Sequence, residues 1–252
     1  MPDTGKPTVA PARHLHGRRK GKRLTARRQA LLDSMLPRLA LALPPAGTPL
    51  DPAGLFGVPR RALWLEIGFG KGEHLAWQAR HHPEIGFIGC EPFVNGVAGL
   101  ASEIAAHGLD NICMHMGDAR DVIDALPAAS VARVFLLHPD PWPKARHAKR
   151  RFVAPDTLDA LARVMADAGE LRIATDDAGY SAWTAMQMAH HGAFDWLAES
   201  AADWTVRPAD WPATRYEAKA RRAGRHVVYL RYRRRARGCS AKNLALGGTP
   251  AL

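Results

Sequence analysis

From Ala62 onward, short apolar runs alternate with helix-length amphipathic stretches, and this alternation constrains the fold more than any other feature of the chain. The runs at 63–67, 86–90, 112–116, 131–137 and 171–174 predict strands. The stretches 73–82, 94–107, 120–126, 155–165 and 179–191 predict helices. Strand–helix alternation at this spacing implies right-handed βαβ units and hence a parallel sheet. A last apolar run at 225–232, with Val227, Val228, Tyr229, Leu230 and Tyr232, has no helix after it and predicts a strand that closes the sheet antiparallel. The expected fold class is α/β: Rossmann-like, a mainly parallel sheet with helices on both faces. Ligands on such sheets lie beyond the C-terminal ends of the strands, so the residues that follow each strand carry the function.

The rest of the chain divides around this unit. Residues 60–235 form the expected domain, with a basic tail at 1–28, a helix and Pro-rich connection at 29–59 and a C-terminal tail at 236–252. Leu31, Leu32, Met35, Leu36 and Leu39 recur at helical spacing within 25–43, and Pro37 is expected to bend or divide that helix. The segment 14–23 is basic, broken by glycine and poor in apolar residues, so it is either a solvated disordered tail or an arm that orders on RNA. A transit peptide is disfavoured by its weak amphipathic periodicity. The chain has 35 Lys+Arg against 24 Asp+Glu, a net charge of +11, and this excess points to a polyanionic partner. No apolar run approaches the ~20 residues of a membrane span, and the basic N-terminus has no apolar core of a signal peptide. Cys90, Cys113 and Cys239 are odd in number and far apart, as expected in a reducing cytoplasm. The twelve histidines offer no metal-ligand spacing, and no metal is expected.

The first predicted strand runs into Glu66-Ile67-Gly68-Phe69-Gly70-Lys71-Gly72-Glu73. Alternating glycines between strand and helix let the backbone pass close to a ligand. The dinucleotide fingerprint is G-x-G-x-x-G, whereas this loop reads G-x-G-x-G, with Glu73 where the third glycine belongs. A pyrophosphate is disfavoured by Glu66 and Glu73, whereas a cationic ligand is not, so the loop favours the sulfonium cofactor S-adenosylmethionine over NAD or FAD and over an empty tight turn. Glu91 ends the second strand, where a carboxylate suits a ribose diol, and Asp118 follows the third, where one suits an adenine amine. Each acid taken alone is as readily a helix cap.

The loop after the fourth strand is Pro139-Asp140-Pro141-Trp142-Pro143-Lys144-Ala145-Arg146-His147-Ala148-Lys149-Arg150-Arg151. Three prolines in five residues fix a non-helical backbone that presents Asp140 and Trp142 at the sheet edge. Methyltransferases of exocyclic base amines carry an (N/D)-P-P-(Y/F) slot here, so the place fits a base while the chemistry differs. The charge run beside it, Arg146 to Arg151, is suited to gripping phosphates.

This segment resembles the signature of the bacterial tRNA (guanine-N7-)-methyltransferases. Leu65–Gly72, Phe87-Ile88-Gly89-Cys90-Glu91-Pro92, Thr175-Asp176 and Thr214-Arg215-Tyr216-Glu217 are similar to that family too, so the likeness spans about 60–233. The resemblance implies a class I methyltransferase fold, S-adenosylmethionine as donor, tRNA as partner, and methylation of guanine 46 in the tRNA variable loop. It implies cofactor contacts at Glu66, Gly68, Gly70, Glu91, Asp118 and Asp140. It implies tRNA or guanine contacts at Lys144, Asp176, Thr214, Arg215, Tyr216 and Glu217. RNA contacts then fall on Arg146, His147, Ala148, Lys149, Arg150 and Arg151. His138 departs from the family, which commonly has a small polar residue before Pro139. Guanine N7 carries a lone pair and no proton, so transfer needs alignment rather than a general base. Asp140 is the expected central catalytic residue, on guanine, on cofactor or on both, and Trp142 is either a stacking platform or a structural plug. The competing readings are a methyltransferase for another RNA atom and a non-catalytic RNA-binding protein of the same fold. The sequence is compatible with a monomer or a homodimer.

Overall fold

A computed structural model describes Leu15, Gly17 and residues 19–238. The remaining terminal residues, including Cys239 and most of the two expected tails, lie outside the described residues. A seven-stranded sheet runs through the domain: β1 (Ala62–Ile67), β2 (Ile85–Cys90), β3 (Ile112–His115), β4 (Val131–Leu137), β5 (Met165–Thr175), β6 (Phe194–Trp196) and β7 (Val228–Arg234). Their order is β3-β2-β1-β4-β5-β7-β6. β1 pairs in parallel with β2 and β4, β2 with β3 and β4 with β5, while β7 is antiparallel to both β5 and β6.

The central strands are apolar on both faces because helices cover both. Along β1, Leu63, Leu65 and Ile67 enter one core cluster and Trp64 the other. One face is covered by α1 (Ala26–Leu39), α2 (Glu73–His81) and α3 (Val94–His107), which contribute Leu32, Leu75 and Val97. The opposite face is covered by α4 (Ala119–Ala125), α5 (Pro155–Val164) and α6 (Ala178–His190), through Val122, Leu158 and Tyr180. No described helix is long and apolar enough to cross a membrane.

Local chemistry sets the ends of these helices. The side chains of Thr25, Asp118 and Asp177 accept hydrogen bonds from backbone N–H groups in the first turns of α1, α4 and α6. Pro155 occupies the start of α5, where its missing N–H costs nothing. Pro37 sits within the last turn of α1 without dividing it, and the chain leaves the helix at Ala40, which bridges Met114 of β3.

Four features differ from the pattern expected of the sequence. First, α1 starts at Ala26, as the helical spacing within 25–43 predicts, so the domain's packed part reaches into the stretch also expected to be tail. The residues before it also pack: Arg19 O accepts from Val94 N at 3.1 Å, and Asn95 clasps Gly21 N (2.9 Å) and Lys22 O (2.7 Å). Second, β5 begins at Met165, which pairs with Val131, and a register shift between Val131 and Arg133 lets residues 166–169 bulge out before the regular ladder starts at Glu170. Third, β7 runs antiparallel to β5 as expected, but it is not the sheet edge. The three-residue β6 lies outside it, and so short a strand carries no readable alternation. Fourth, two helices precede β7, α7 (Ala202–Thr205) and the markedly polar α8 (Arg215–Arg222), of which only Glu217 and Ala220 are buried.

Candidate active site

The strand order reverses direction between β1 and β4, and the loops after β1, β2 and β4 converge at that switch point. They line a cleft of about 790 Å³ whose wall includes Gly68, Gly70, Glu91, Asp118, His138, Asp140, Trp142 and Tyr216. Leu15 and Gly17 also line it, and Arg19 bonds to the start of α3.

The glycine loop is folded by close backbone approach. Gly68 has φ +70°, and the space where its Cβ would stand is open. Gly96, on α3, lies so close to the loop that a Cβ there would meet Gly70 O at 2.1 Å. Glu91 fixes the same loop from the second strand: Oε2 accepts from Gly70 N at 2.8 Å and Oε1 from Phe93 N at 2.9 Å. Burial pushes the Glu91 carboxyl above the usual carboxylate range, against the pull of those two N–H donors, and negative Asp140 pushes it the same way. Glu91, Asp118, Asp140 and Asp156 line the cleft together with Arg120, Lys149, Arg150 and Arg151, so it offers both acceptors and donors. A ligand carrying a positive centre and a nucleoside matches that donor and acceptor set, and the open Cβ space at Gly68 is the cradle it requires.

The other acids have additional partners. Glu66 is buried against α2, with Oε2 2.6 Å from His74 Nδ1, and faces a smaller recess beside the cleft rather than the cleft itself. Gln78 completes this chain, 3.2 Å from His74 Nε2 and donating to Asp210 O at 2.8 Å. Asp118 caps α4 and pairs with Arg120, whose Nε lies 2.9 Å from Oδ2.

The loop after β4 is strained on both sides of its central carboxylate. His138 has φ +51° and Trp142 has φ +43°, a left-handed backbone that costs a bulky residue about 1–3 kcal/mol. Asp140 stands between them, solvent-exposed at the cleft. Arg151 holds the strained turn in place, donating to Pro141 O at 3.0 Å and Trp142 O at 3.2 Å, while Arg150 lies 4.8 Å over the Trp142 ring. Residues 145–150 form a short 3-10 helix that leaves Lys144, Arg146 and Lys149 exposed, with His147 and Ala148 half-buried. The run expected to touch RNA therefore splits into outward cations and cations used to shape the loop.

The segment 214–217 opens α8. Thr214 Oγ1 accepts from Glu217 N at 3.2 Å, and Arg215 N donates to Glu73 Oε2 at 3.1 Å, which docks the start of α8 on the start of α2. Tyr216 is thereby placed on the lip of both the cleft and the recess. Glu217 is buried and bonded to Arg221 at 2.5 Å, and Asp176 to Arg225 at 2.7 Å, so neither lines the cleft. His138, which sequence reasoning marked only as a departure, does line it. Among the described residues no His, Cys, Asp and Glu cluster is arranged to hold a metal ion.

Comparison with known proteins bears on this site. A family described as "Putative methyltransferase" matches residues 60–230. A protein of Rhodospirillum rubrum named tRNA (guanine-N(7)-)-methyltransferase is 54% identical over 91% of this chain and 91% of its own length. Proteins of the same name from Nitrobacter hamburgensis and Paramagnetospirillum magneticum are 49% and 50% identical, over 89% and 88% of this chain and 88% and 92% of their own.

The geometry of the glycine loop makes one prediction. Gly68→Val puts a β-branched side chain at φ +70° and into the open cradle. Calorimetric titration with S-adenosylmethionine should show affinity falling at least about thirtyfold, from roughly 2 kcal/mol of strain alone. The far-UV circular dichroism should stay native, and unchanged affinity would contradict the cradle.

Proposed function

The chain belongs to the bacterial tRNA (guanine-N7-)-methyltransferase family, and from that premise we propose that it moves a methyl group from S-adenosylmethionine to N7 of guanine 46 in the tRNA variable loop, acting in the cytoplasm. The observation that carries this reading is the cleft at the switch point, where Glu91, Asp118 and Asp140 meet beside the glycine loop and the exposed Lys149 stands on the wall. When bound, S-adenosylmethionine supplies an electrophilic methyl carbon on a positively charged sulfur. Glu91, Gly68 and Gly70 are the residues suited to hold it, with Asp118 at the adenine end.

The residues of this chain then have three tasks. The first is alignment: N7 has an in-plane lone pair and no proton, so holding it in line with the methyl carbon and sulfur is the main requirement. The rigid loop from Pro139 to Pro143 serves that purpose, with Trp142 and Tyr216 as flat walls for a base. The second is electrostatic. Positive charge passes from sulfur to the purine, and Asp140 sits where a fixed carboxylate stabilises that charge through the transfer. An ionised Asp140 is also an acceptor for guanine N1–H and the 2-amino group, a pair adenine lacks. The third is grip. Lys144, Arg146 and Lys149 project outward beside the cleft, at the place where RNA phosphates flank an entering base.

A nucleoside digest of tRNA incubated with the protein and labelled cofactor tests the reading. N7-methylguanosine is the expected product, and label on any other nucleoside would contradict it. In the same assay Asp140→Ala should lower turnover at least about a hundredfold, on the scale of a lost transition-state contact, and near-normal turnover would remove Asp140 from the mechanism.

The RNA grip makes a separate prediction. The triple variant Lys144→Ala/Arg146→Ala/Lys149→Ala should weaken tRNA binding and flatten the log affinity against log salt slope by about 2 to 3. Its affinity for S-adenosylmethionine should be retained. A merely solubilising face predicts an unchanged slope.

A further inference from the structure

His138 takes no part in the chemistry above, yet it stands where β4 opens into the cleft. Its backbone N–H donates to Ala174 O at 2.7 Å, and its φ of +51° is a conformation that a ring-bearing residue keeps only when its surroundings hold it. The side chain is 8% exposed and forms part of the wall of both the main cleft and the recess beside it. Its ring lies nearly parallel to that of Tyr216, 19° between planes and 5.7 Å between centroids. Nδ1 is 3.4 Å from Asp176 Oδ1, and Asp176 Oδ2 accepts from Arg225 Nε at 2.7 Å.

These contacts set the state of the ring. Burial works to raise the Asp176 carboxyl, but hydrogen bonds from Arg225 and His138 prevail and hold it below the usual carboxylate range. An ionised carboxylate only accepts, so Nδ1 carries the proton and Nε2 of the neutral ring keeps its lone pair. We propose that His138 is a further substrate-side residue, a neutral imidazole that Asp176 and Arg225 orient and that must remain neutral while the purine is methylated.

The proposal rests on the methyl-transfer reading and adds to it a protonation requirement. As the N7–C bond forms, the C–S bond breaks, its electron pair leaves with sulfur, and the positive charge of the sulfonium passes to the purine. No proton moves. A neutral His138 tolerates that charge and offers Nε2 as an acceptor to the 2-amino hydrogen that Asp140 leaves free, whereas an imidazolium opposes it with a second positive charge.

The surroundings favour the neutral form. Burial lowers the pKa of His138 below its ordinary value, against Asp176 and Glu217, which raise it. Around the ring stand Asp176 from the β5 end, Arg225 beyond α8, Tyr216 and Glu217 on α8, Asp140 on its own loop, and Glu66, Lys71, Glu73 and His74 around the recess. Glu217 is bonded to Arg221, Glu66 to His74 and Glu73 to Arg215. Asp176 is the carboxylate hydrogen-bonded to the ring. A lowered pKa means that the competent neutral form is present above it and is lost as pH falls through it.

The test is single-turnover methylation of tRNA by the full chain across pH 5 to 8.5, at saturating cofactor, with cofactor affinity titrated separately so that Glu91 is accounted for. The wild-type rate constant should fall about tenfold per pH unit on the acid side. His138→Asn keeps a neutral acceptor that does not titrate. It should abolish the acid limb and lower the alkaline plateau by about five- to tenfold, the scale of one neutral hydrogen bond. Asp176→Asn removes the carboxylate that raises the ring's pKa and should move the limb to lower pH. Independently of turnover, imidazole ¹⁵N resonances of the wild type at pH 7.5 should report protonated Nδ1. An unmoved acid limb in His138→Asn, or protonated Nε2 in the spectrum, would overturn the assignment of His138 while N7-methylguanosine still forms. Absence of that nucleoside in the wild-type digest at pH 8 would overturn the methyl-transfer reading itself, and this proposal with it.

Discussion

The site depends first on the two hydrogen bonds accepted by Glu91. A carboxylate with 8% exposure at the end of β2 accepts from Gly70 N, in the loop after β1, and from Phe93 N, at the entry to α3. It ties together two connections that the sheet alone leaves independent. Gly96 then lets α3 lie against the loop at a distance no Cβ allows. The glycine loop, α3 and the β2 end thus form one rigid wall, and Gly68 can hold its left-handed turn facing open space. Desolvation of Glu91, which raises its carboxyl above the usual range, is the cost of this arrangement.

The opposite wall is held by different means. The loop after β4 stores strain at His138 and Trp142, and Arg151 keeps it from relaxing by holding the carbonyls of Pro141 and Trp142. Backbone strain of this kind persists only when neighbours over-determine it, and it collects where geometry has to be kept for chemistry. Asp140 lies between the two strained residues, aimed by a backbone that is rigid on both sides. Chemistry of the lone-pair kind needs placement more than proton transfer, and a pre-strained loop supplies placement.

The central fold was legible because parallel strands buried on both faces write near-continuous apolar runs, and 63–67, 86–90 and 131–137 are such runs, interrupted by charge only at Glu66 and Arg133. β6 was not legible, since Phe194–Trp196 is too short for any period. Nor was the start of β5, where a bulge breaks the alternation before Glu170. α8 lacks an apolar stripe, but Thr214 followed three residues later by Glu217 is a capping-box spacing that signals a helix start. Of the site, the glycine loop, Glu91, Asp118 and Asp140 meet at one cleft as their places after strands imply. The pairing of Glu66 with His74, of Asp176 with Arg225 and of Glu217 with Arg221 was beyond sequence spacing alone. The carboxylate's partner comes from another element in two of these, and in the third it depends on which face of α8 turns inward.

The proposed transfer is an attack by a lone pair on N7, aligned in this cleft, on the methyl carbon without a base. Its most direct measurement compares a tRNA carrying guanine in the variable loop with one in which 7-deazaguanine, a carbon in place of N7, stands at the same position. Both transcripts should bind with similar affinity and salt dependence, because phosphates dominate the grip. The guanine transcript should take up one labelled methyl group and the deaza transcript none. Equal methylation of the two would place the attack on another atom and contradict the account.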